Sequence, residues 1–326
     1  MMNYKVHISV VIPAYECAGC IKELYRRLVP VLSSISPKYE IIFIDDGSPT
    51  QDWELISSLC AIDPRVRGIQ LSRNYGQQFA ATAGLDASLG DWVIVMDCDL
   101  QDAPEEIPKL YVEAMGGKDI VFARRVSRRD SLYRGFVSKL FIIIYNWLGD
   151  IDFDNSIANF SICSRQVVDS ICEFRECNRS YPLFAFEVGF RRSTVDVVHN
   201  SRYDGKSSYN FSKLFDLAIQ CILARSNKPL RLSIRFGFML SILSLVFGGV
   251  ILFRYLFNEI GVPGWTTLAL LISFLGGLGF ANLGILGLYL GRVFDEVKNR
   301  PLYFVQNSLN DPIQLEMKRQ TAQSDA

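Results

Sequence analysis

Four apolar residues run straight into acidic ones at Val93-Ile-Val-Met-Asp97-Cys-Asp99-Leu-Gln-Asp102. The run is too short for a helix and reads as a fully buried parallel strand. In an open α/β sheet, charges at the carboxyl end of such a strand belong at the crevice where ligands bind. Residues i and i+2 of a strand share a face, so Asp97 and Asp99 are expected to point the same way. Two hard oxygen ligands at one point suit Mg2+ or Mn2+ holding a diphosphate. A solvated loop that happens to be acidic is the competing reading of this stretch alone.

The preceding chain repeats the pattern. His7 to Pro13 reads as a first buried strand ended by its proline, with Ala14-Tyr15-Glu16 following. Ile21, Leu24, Tyr25, Leu28 and Val29 recur at helical spacing. A second strand from Glu40 ends in Asp45-Asp46-Gly47-Ser48, and Asp52 can cap the next helix. Val66 to Leu71 is a third strand, ending at Ser72-Arg73-Asn74-Tyr75-Gly76. Ala80, Ala81 and Gly84 then give a helix small enough to pack closely on a sheet, and Trp92 to Met96 is the fourth strand. Strands alternating with helices at this spacing predict a parallel sheet with one crevice collecting the strand ends. Each cluster alone has an ordinary reading: Asp102 before Pro104 and Glu105 fits a helix cap, and Arg73 fits a surface charge. Their joint occurrence favours a site.

Val11-Ile-Pro-Ala-Tyr-Glu16, Asp45-Asp-Gly-Ser48, Ser72-Arg-Asn-Tyr-Gly76 and Met96-Asp-Cys-Asp-Leu-Gln-Asp102 together resemble the family 2 glycosyltransferases. More narrowly they are similar to polyprenyl-phosphate glycosyltransferases, including bactoprenol glucosyltransferases and dolichyl-phosphate mannosyltransferase. The resemblance covers almost the whole chain. It implies a GT-A, Rossmann-like α/β domain with a mostly parallel sheet. It assigns Pro13, Tyr15, Glu16 and Asp45, with Asp46, Arg73 and Asp97 of the matching motifs, to the nucleotide sugar. It assigns Asp97 and Asp99 to a Mg2+ or Mn2+ ion on the diphosphate, and puts Asp99 and Asp102 among the catalytic candidates.

Asn159 departs from the resemblance, because many relatives carry there an Asp proposed as a catalytic base. An amide cannot serve as a base near neutral pH. A phosphate monoester has a second pKa of about 6 and needs no base to attack at pH 7. Asn159 therefore favours a phosphate acceptor, or a role in holding substrate through its amide. Ser201-Arg202-Tyr-Asp-Gly-Lys206-Ser-Ser208-Tyr resembles a further family segment, with Ser208 where Lys is common. Arg202 offers a bidentate fork to phosphate and Lys206 a point charge. Arg124, Arg125, Arg128 and Arg129 form a basic cluster that suits phosphates or anionic headgroups, or else stands as a solvated loop. Arg124, Arg202 and Lys206 are the candidates for the acceptor phosphate, and Arg202 and Asn159 complete the catalytic candidates. Residues 131–148 alternate basic and bulky apolar residues, as an amphipathic interface helix or a core helix would.

Composition then changes. Hydrophobic residues make up 49% of the chain and mean hydropathy is +0.17, with the excess after about residue 235. Phe236 to Leu252 carries no charge, with Arg254 close to its end, and 265–290 is a second charge-free stretch, so spans at about 236–257 and 265–290 are each long enough for a hydrocarbon core of roughly 30 Å. Buried core helices are the alternative. Arg225, Lys228, Arg231 and Arg235 precede the pair, and Arg292, Lys298 and Arg300 follow it. The positive-inside rule then predicts a two-helix transmembrane hairpin with both termini in the cytoplasm. The expected organisation is a cytoplasmic transferase domain with juxtamembrane helices at 1–230, the hairpin at 231–292, and a cytoplasmic tail at 293–326, disordered after about Asn307. Met1-Met-Asn-Tyr-Lys leads straight into the first strand, so no signal peptide is expected. The 8 cysteines lack a disulfide framework, and Cys17-x-x-Cys20 lacks two further ligands for zinc.

The expected protein is a multi-pass enzyme of the inner (cytoplasmic) membrane. It would be an inverting glycosyltransferase moving sugar from a nucleotide sugar, UDP-linked on the family pattern, to polyprenyl (undecaprenyl) phosphate for cell-envelope glycans. Its partners are the donor, the lipid phosphate acceptor and the bilayer. Glycines 276, 277, 279, 284, 287 and 291 leave a homo-oligomer open. Lys+Arg and Asp+Glu both number 34, which argues neither way about nucleic acid, and none is expected as a partner. Two alternatives stay open: a transferase using another acceptor, such as a lipid-linked oligosaccharide, or a lipid-binding or translocating protein with a decayed transferase site.

Overall fold

The computed structural model describes residues 6–125, 157–177, 179–198, 228–256 and 264–311. Two compact units emerge: Met1–Asp130 with Asp154–Ser207 and Pro301–Ala326, and Ser131–Phe153 with Ser208–Arg300.

The first unit is built on one sheet. Its strands are β1 (Ile8–Ala14), β2 (Tyr39–Asp45), β3 (Val66–Leu71), β4 (Trp92–Val95), β5 (Ile120–Arg125), β6 (Ile157–Ser164), β7 (Arg192–Val197) and β8 (Val305–Leu309). They lie in the order β7-β5-β6-β4-β1-β2-β3-β8. β6 is antiparallel to both β4 and β5, and β8 is antiparallel to β3, while the other pairings are parallel. The carboxyl ends of β1 to β5 and β7 therefore share one edge of the sheet with the amino ends of β6 and β8.

Alternation along the strands builds two cores. Val10, Ile12, Ile41, Phe43, Ile94 and Met96 face one side. Val11, Ile42, Ile44, Val93 and Val95 face the other. Each such buried side chain contributes roughly 1.5–3 kcal/mol, so a one-residue slip of register would be prohibitive. Helices α1 (Ala18–Ile35), α2 (Asp52–Ile62) and α4 (Ile107–Met115) cover the first side through Ile21, Leu24, Leu28, Ile56, Leu59, Ile107 and Leu110. Helices α3 (Gln77–Ala87), α5 (Arg165–Glu173) and α6 (Tyr181–Glu187) cover the second through Ala80, Ala83, Val167, Val168 and Phe184. The small residues of α3 are used as the sequence suggests. A Cβ on Gly84 would lie 2.3 Å from Val11 Cγ1 and 2.6 Å from Ile44 Cδ1, so the helix rests directly on the strands.

Some boundaries differ from the sequence reading. β1 runs through Pro13 to Ala14, whose carbonyl accepts Asp46 N at 3.0 Å, so the ladder tolerates one missing donor near its end. β4 stops at Val95, and Asp97 and Asp99 lie on the turn beyond it. Neither Asp52 nor Asp102 caps a helix. Asp52 lies inside α2, and Ala103 rather than Asp102 occupies the cap position before the 3-10 turn Pro104–Glu106. Residues 305–309 form β8, where the polar composition suggested a loose tail from Asn307. Pairing with β3 and the Asn310 amide, which donates to the Cys60 and Val66 carbonyls at 2.8 Å each, hold that segment.

The second unit contains α7 (Lys228–Leu256) and α8 (Trp265–Val297), with the Ser233 hydroxyl donating to Asn282 Oδ1 between them. Among the described residues one helical stretch, Phe274–Val297, is long and apolar enough to cross a membrane, with mean hydropathy 1.5. The interface helix at 131–148 and the connector at 257–263 lie outside the described residues.

Candidate active site

The strand-end acids gather at the carboxyl edge of the sheet. Asp45 is fully buried; its Oδ1 accepts Ser48 N at 3.0 Å and its Oδ2 accepts Gln70 Nε2 at 3.2 Å. Asp46 is also buried, with its two oxygens accepting Tyr75 N and Gly76 N at 2.8 Å each. Burial pushes both carboxyls above the ordinary aspartate range, and the same hydrogen bonds pull them part of the way back. Asp46 thus ties the Asp-Asp-Gly-Ser turn to the Arg-Asn-Tyr-Gly turn. Gly47 is required where the two meet: its φ is +63°, and a Cβ would lie 2.5 Å from the Arg73 carbonyl carbon.

The turn after β1 joins the same cluster. Pro13 is buried in the strand, while Tyr15 and Glu16 are exposed. Glu16 has φ +53°, uncommon for a side-chain-bearing residue, and its N–H donates to Ser48 Oγ at 3.0 Å. Backbone held in such a conformation clusters at ligand sites. Asp52 supports this turn from below, accepting Cys17 N at 2.9 Å and Thr50 Oγ1 at 2.6 Å. Arg73 is exposed with its guanidinium 4.4 Å from the Tyr75 ring centroid.

The other half of the site is the turn after β4. Asp97 and Asp99 are half-exposed on this turn and alternate with buried Cys98 and Leu100. Leu100 takes φ +61° in this turn, and Asp99 Oδ1 accepts Gln101 N at 3.2 Å. Asp97 Oδ1 accepts Gln77 Nε2 at 2.6 Å and Asn159 Nδ2 at 3.3 Å. The antiparallel register pairs Val95 with Ser161, and continued outward it sets Asn159 across from Asp97. Asp102 is fully buried behind the turn.

Arg124 lies at the same edge, at the end of β5, and donates through Nε to Asp196 Oδ1 at 2.6 Å. Arg202, Lys206, Arg128 and Arg129 lie outside the described residues. Sequence reading missed Gln70, Gln77 and Ser48 as partners of these acids. Gln70 and Gln77 carried a signal, a polar side chain at a strand end and at the first position of a helix facing the crevice.

Among the described residues no three ligating side chains cluster into a metal cage. Asp97 and Asp99 nonetheless fit a hard cation that takes one or two carboxylates and fills its remaining positions with phosphate oxygens and water.

Fold and site together define an α/β protein with a carboxylate-lined crevice at the strand ends. Residues 9–181 match the model of Glycosyl transferase family 2. The chain belongs to that family and is a glycosyltransferase. It is 35% identical over 307 residues to an undecaprenyl-phosphate 4-deoxy-4-formamido-L-arabinose transferase of Shewanella sediminis, covering 93% of this chain and 92% of that one. It is 32% identical over 308 residues to an uncharacterized glycosyltransferase, YkcC, of Bacillus subtilis, covering 94% and 95%. Glucosyl-3-phosphoglycerate synthase of Mycobacterium tuberculosis superposes with a TM-score of 0.47 at 18% identity, covering 67% of this chain and 76% of that one, a likeness too distant to bear on residue roles.

Proposed function

We propose that the protein is a membrane-bound, inverting glycosyltransferase that moves a sugar from a nucleotide sugar, UDP-linked on the family pattern, to polyprenyl phosphate. The observation that carries this reading is the convergence of Asp45, Asp97 and Asp99 on one sheet edge in a chain whose relatives include undecaprenyl-phosphate sugar transferases. The nucleotide lies against the turns of Pro13 to Glu16 and of Asp45 and Asp46, with Arg73 beside them. Asp97 and Asp99 hold Mg2+ or Mn2+, which when bound neutralises charge on the departing diphosphate. Asn159 and Gln77 orient Asp97 by donating to it.

An acceptor phosphate oxygen forms the new bond to the anomeric carbon as the bond to the nucleoside diphosphate breaks. The attack comes from the opposite face and inverts the centre. No proton has to be removed from the nucleophile, so an amide at position 159 is no obstacle. Arg202, Lys206 and Arg124 are the proposed clamp on the acceptor phosphate, and Asp102 supports the Asp97–Asp99 turn from behind.

Membrane attachment is proposed from the apolar length of Phe274–Val297, and the chain path limits its topology. The chain leaves the sheet after β7 and returns to it as β8, with α7 and α8 between. If α8 crosses a bilayer, the return to the same sheet requires an even number of crossings, and α7 supplies the second.

The reading is tested by incubating membranes containing the protein with radiolabelled nucleotide sugars and polyprenyl phosphate. Label should enter the lipid phase and be released as free sugar by mild acid. Label appearing only in a longer lipid-linked oligosaccharide would replace the acceptor, and none with any donor would leave a lipid-binding protein.

A further inference from the structure

Asp45, Gln70 and Asn307 stand in one row across three strands. The register of β2 with β3 sets Asp45 beside Gln70, and that of β3 with β8 sets Gln70 beside Asn307. Asn307 Nδ2 donates to Gln70 Oε1 at 2.7 Å, and Gln70 Nε2 donates to Asp45 Oδ2 at 3.2 Å. The relay has one direction. Each amide offers its N–H toward the carboxylate, and the Gln70 carbonyl takes the donor from behind, which fixes its orientation. A second line runs alongside. The Phe304 carbonyl accepts Ser72 N at 2.9 Å, the Ser72 hydroxyl shares a hydrogen bond with the Tyr75 hydroxyl at 3.1 Å, and Tyr75 N donates to Asp46 at 2.8 Å. Residues 304–307 thus reach both acids of the Asp45-Asp46 turn.

We propose that Gln70 is a positioning residue for Asp45, and that β8 sets the donor site through it. This rests on the assignment of Asp45 to the nucleotide sugar. Asp45 is fully buried and one oxygen is already satisfied by Ser48 N, so the other requires a donor. A side chain at 70 must both accept from Asn307 and donate to Asp45, and an amide does both. Glutamate has the same size and does only the first, setting a second negative group against a buried carboxylate. The carboxyl-terminal strand, which follows α8 in sequence, is therefore part of the donor-binding machinery as well as an edge of the sheet.

The test uses the full chain in lipid nanodiscs. Binding of UDP, GDP and dTDP is measured by calorimetry for Gln70→Leu, Gln70→Glu, Asn307→Leu and Asp45→Asn, with the Michaelis constant for polyprenyl phosphate and the melting temperature alongside. For whichever nucleotide the wild type binds best, Gln70→Leu should raise the dissociation constant about tenfold, as loss of one hydrogen bond to a charged group does. Gln70→Glu should raise it further, Asn307→Leu by about threefold, and the acceptor constant should not move. A purely structural role would lower the melting temperature and leave nucleotide affinity of the folded protein unchanged. If Asp45→Asn weakens nucleotide binding while both Gln70 variants bind as wild type, the relay is refuted and the donor site stands. If Asp45→Asn itself binds as wild type, the donor assignment falls and takes the relay with it.

Discussion

The Asn159 side-chain amide donates to Asp97 Oδ1 at 3.3 Å, from the position across β4 and β6 that the sheet register dictates. An aspartate at 159 would bring a second carboxylate to the same point and remove the donor. Asn159→Ala is expected to lower kcat/KM by about tenfold, the low end for a hydrogen bond to a charged group. Asn159→Asp should cost more, because it adds repulsion to the loss. Steady-state kinetics at saturating metal would check this, and an Asn159→Asp enzyme as fast as wild type would put position 159 back in the role of a base.

Asp99 makes a cleaner test of the Asp97–Asp99 pair. Its Oδ1 accepts Gln101 N at 3.2 Å, a bond that an asparagine carbonyl can replace. Asp99→Asn should therefore keep the turn and the melting temperature. Turnover should fall by about a hundredfold or more, ~2.7 kcal/mol of barrier, if the carboxylate helps to balance charge on the leaving diphosphate. Full metal-dependent turnover in this variant would remove Asp99 from the mechanism.

The buried acids predict a pH dependence of stability with a definite sign. Burial raises the Asp45 carboxyl, opposed by Ser48 N and Gln70. A raised carboxyl favours the protonated fold, so its contribution is fully present below the unfolded value and is lost as pH rises through the folded one. Asp45→Asn removes that titration and replaces it with a pH-independent offset. The melting temperature of the variant minus that of wild type should be more positive at pH 7 than at pH 4. A difference that stays flat, or runs the other way, would mean that Asp45 is not held as a desolvated carboxylate.

Alternation of strand and helix, and the acids ending β2 and β4, were legible because each rests on local rules: period-two burial, short apolar runs and polar residues at strand ends. Val66–Leu71 is a strand with the same bounds in sequence and structure. What escaped reading depends on partners distant in the chain. Asn159 joins Gln77 on Asp97 only because β6 runs antiparallel beside β4, an order that no local pattern announces. β8 escaped because Val305-Gln-Asn-Ser-Leu309 is polar and largely exposed. An edge strand is recruited by its neighbour's unpaired backbone, and hydrophobic periodicity is blind to that.

Return of the chain to its starting sheet makes topology the sharpest remaining test. β8 pairs with β3, so residues 305–309 lie on the same side of any membrane as residues 66–71. Between them Phe274–Val297 is long and apolar enough to span, and Arg231 and Arg235 near the amino end of α7 and Lys298 and Arg300 after α8 favour the cytoplasmic side. The pairing excludes an odd number of crossings, which among the described helices leaves two or none. A reporter active only outside the cytoplasm, inserted within residues 259–264, should be active, and the same reporter fused after residue 326 should be silent. Both reporters silent would mean that α7 and α8 lie on the cytoplasmic face without spanning. Activity after residue 326 with silence at 259–264 would mean that the sheet, and the transferase site with it, faces the other side.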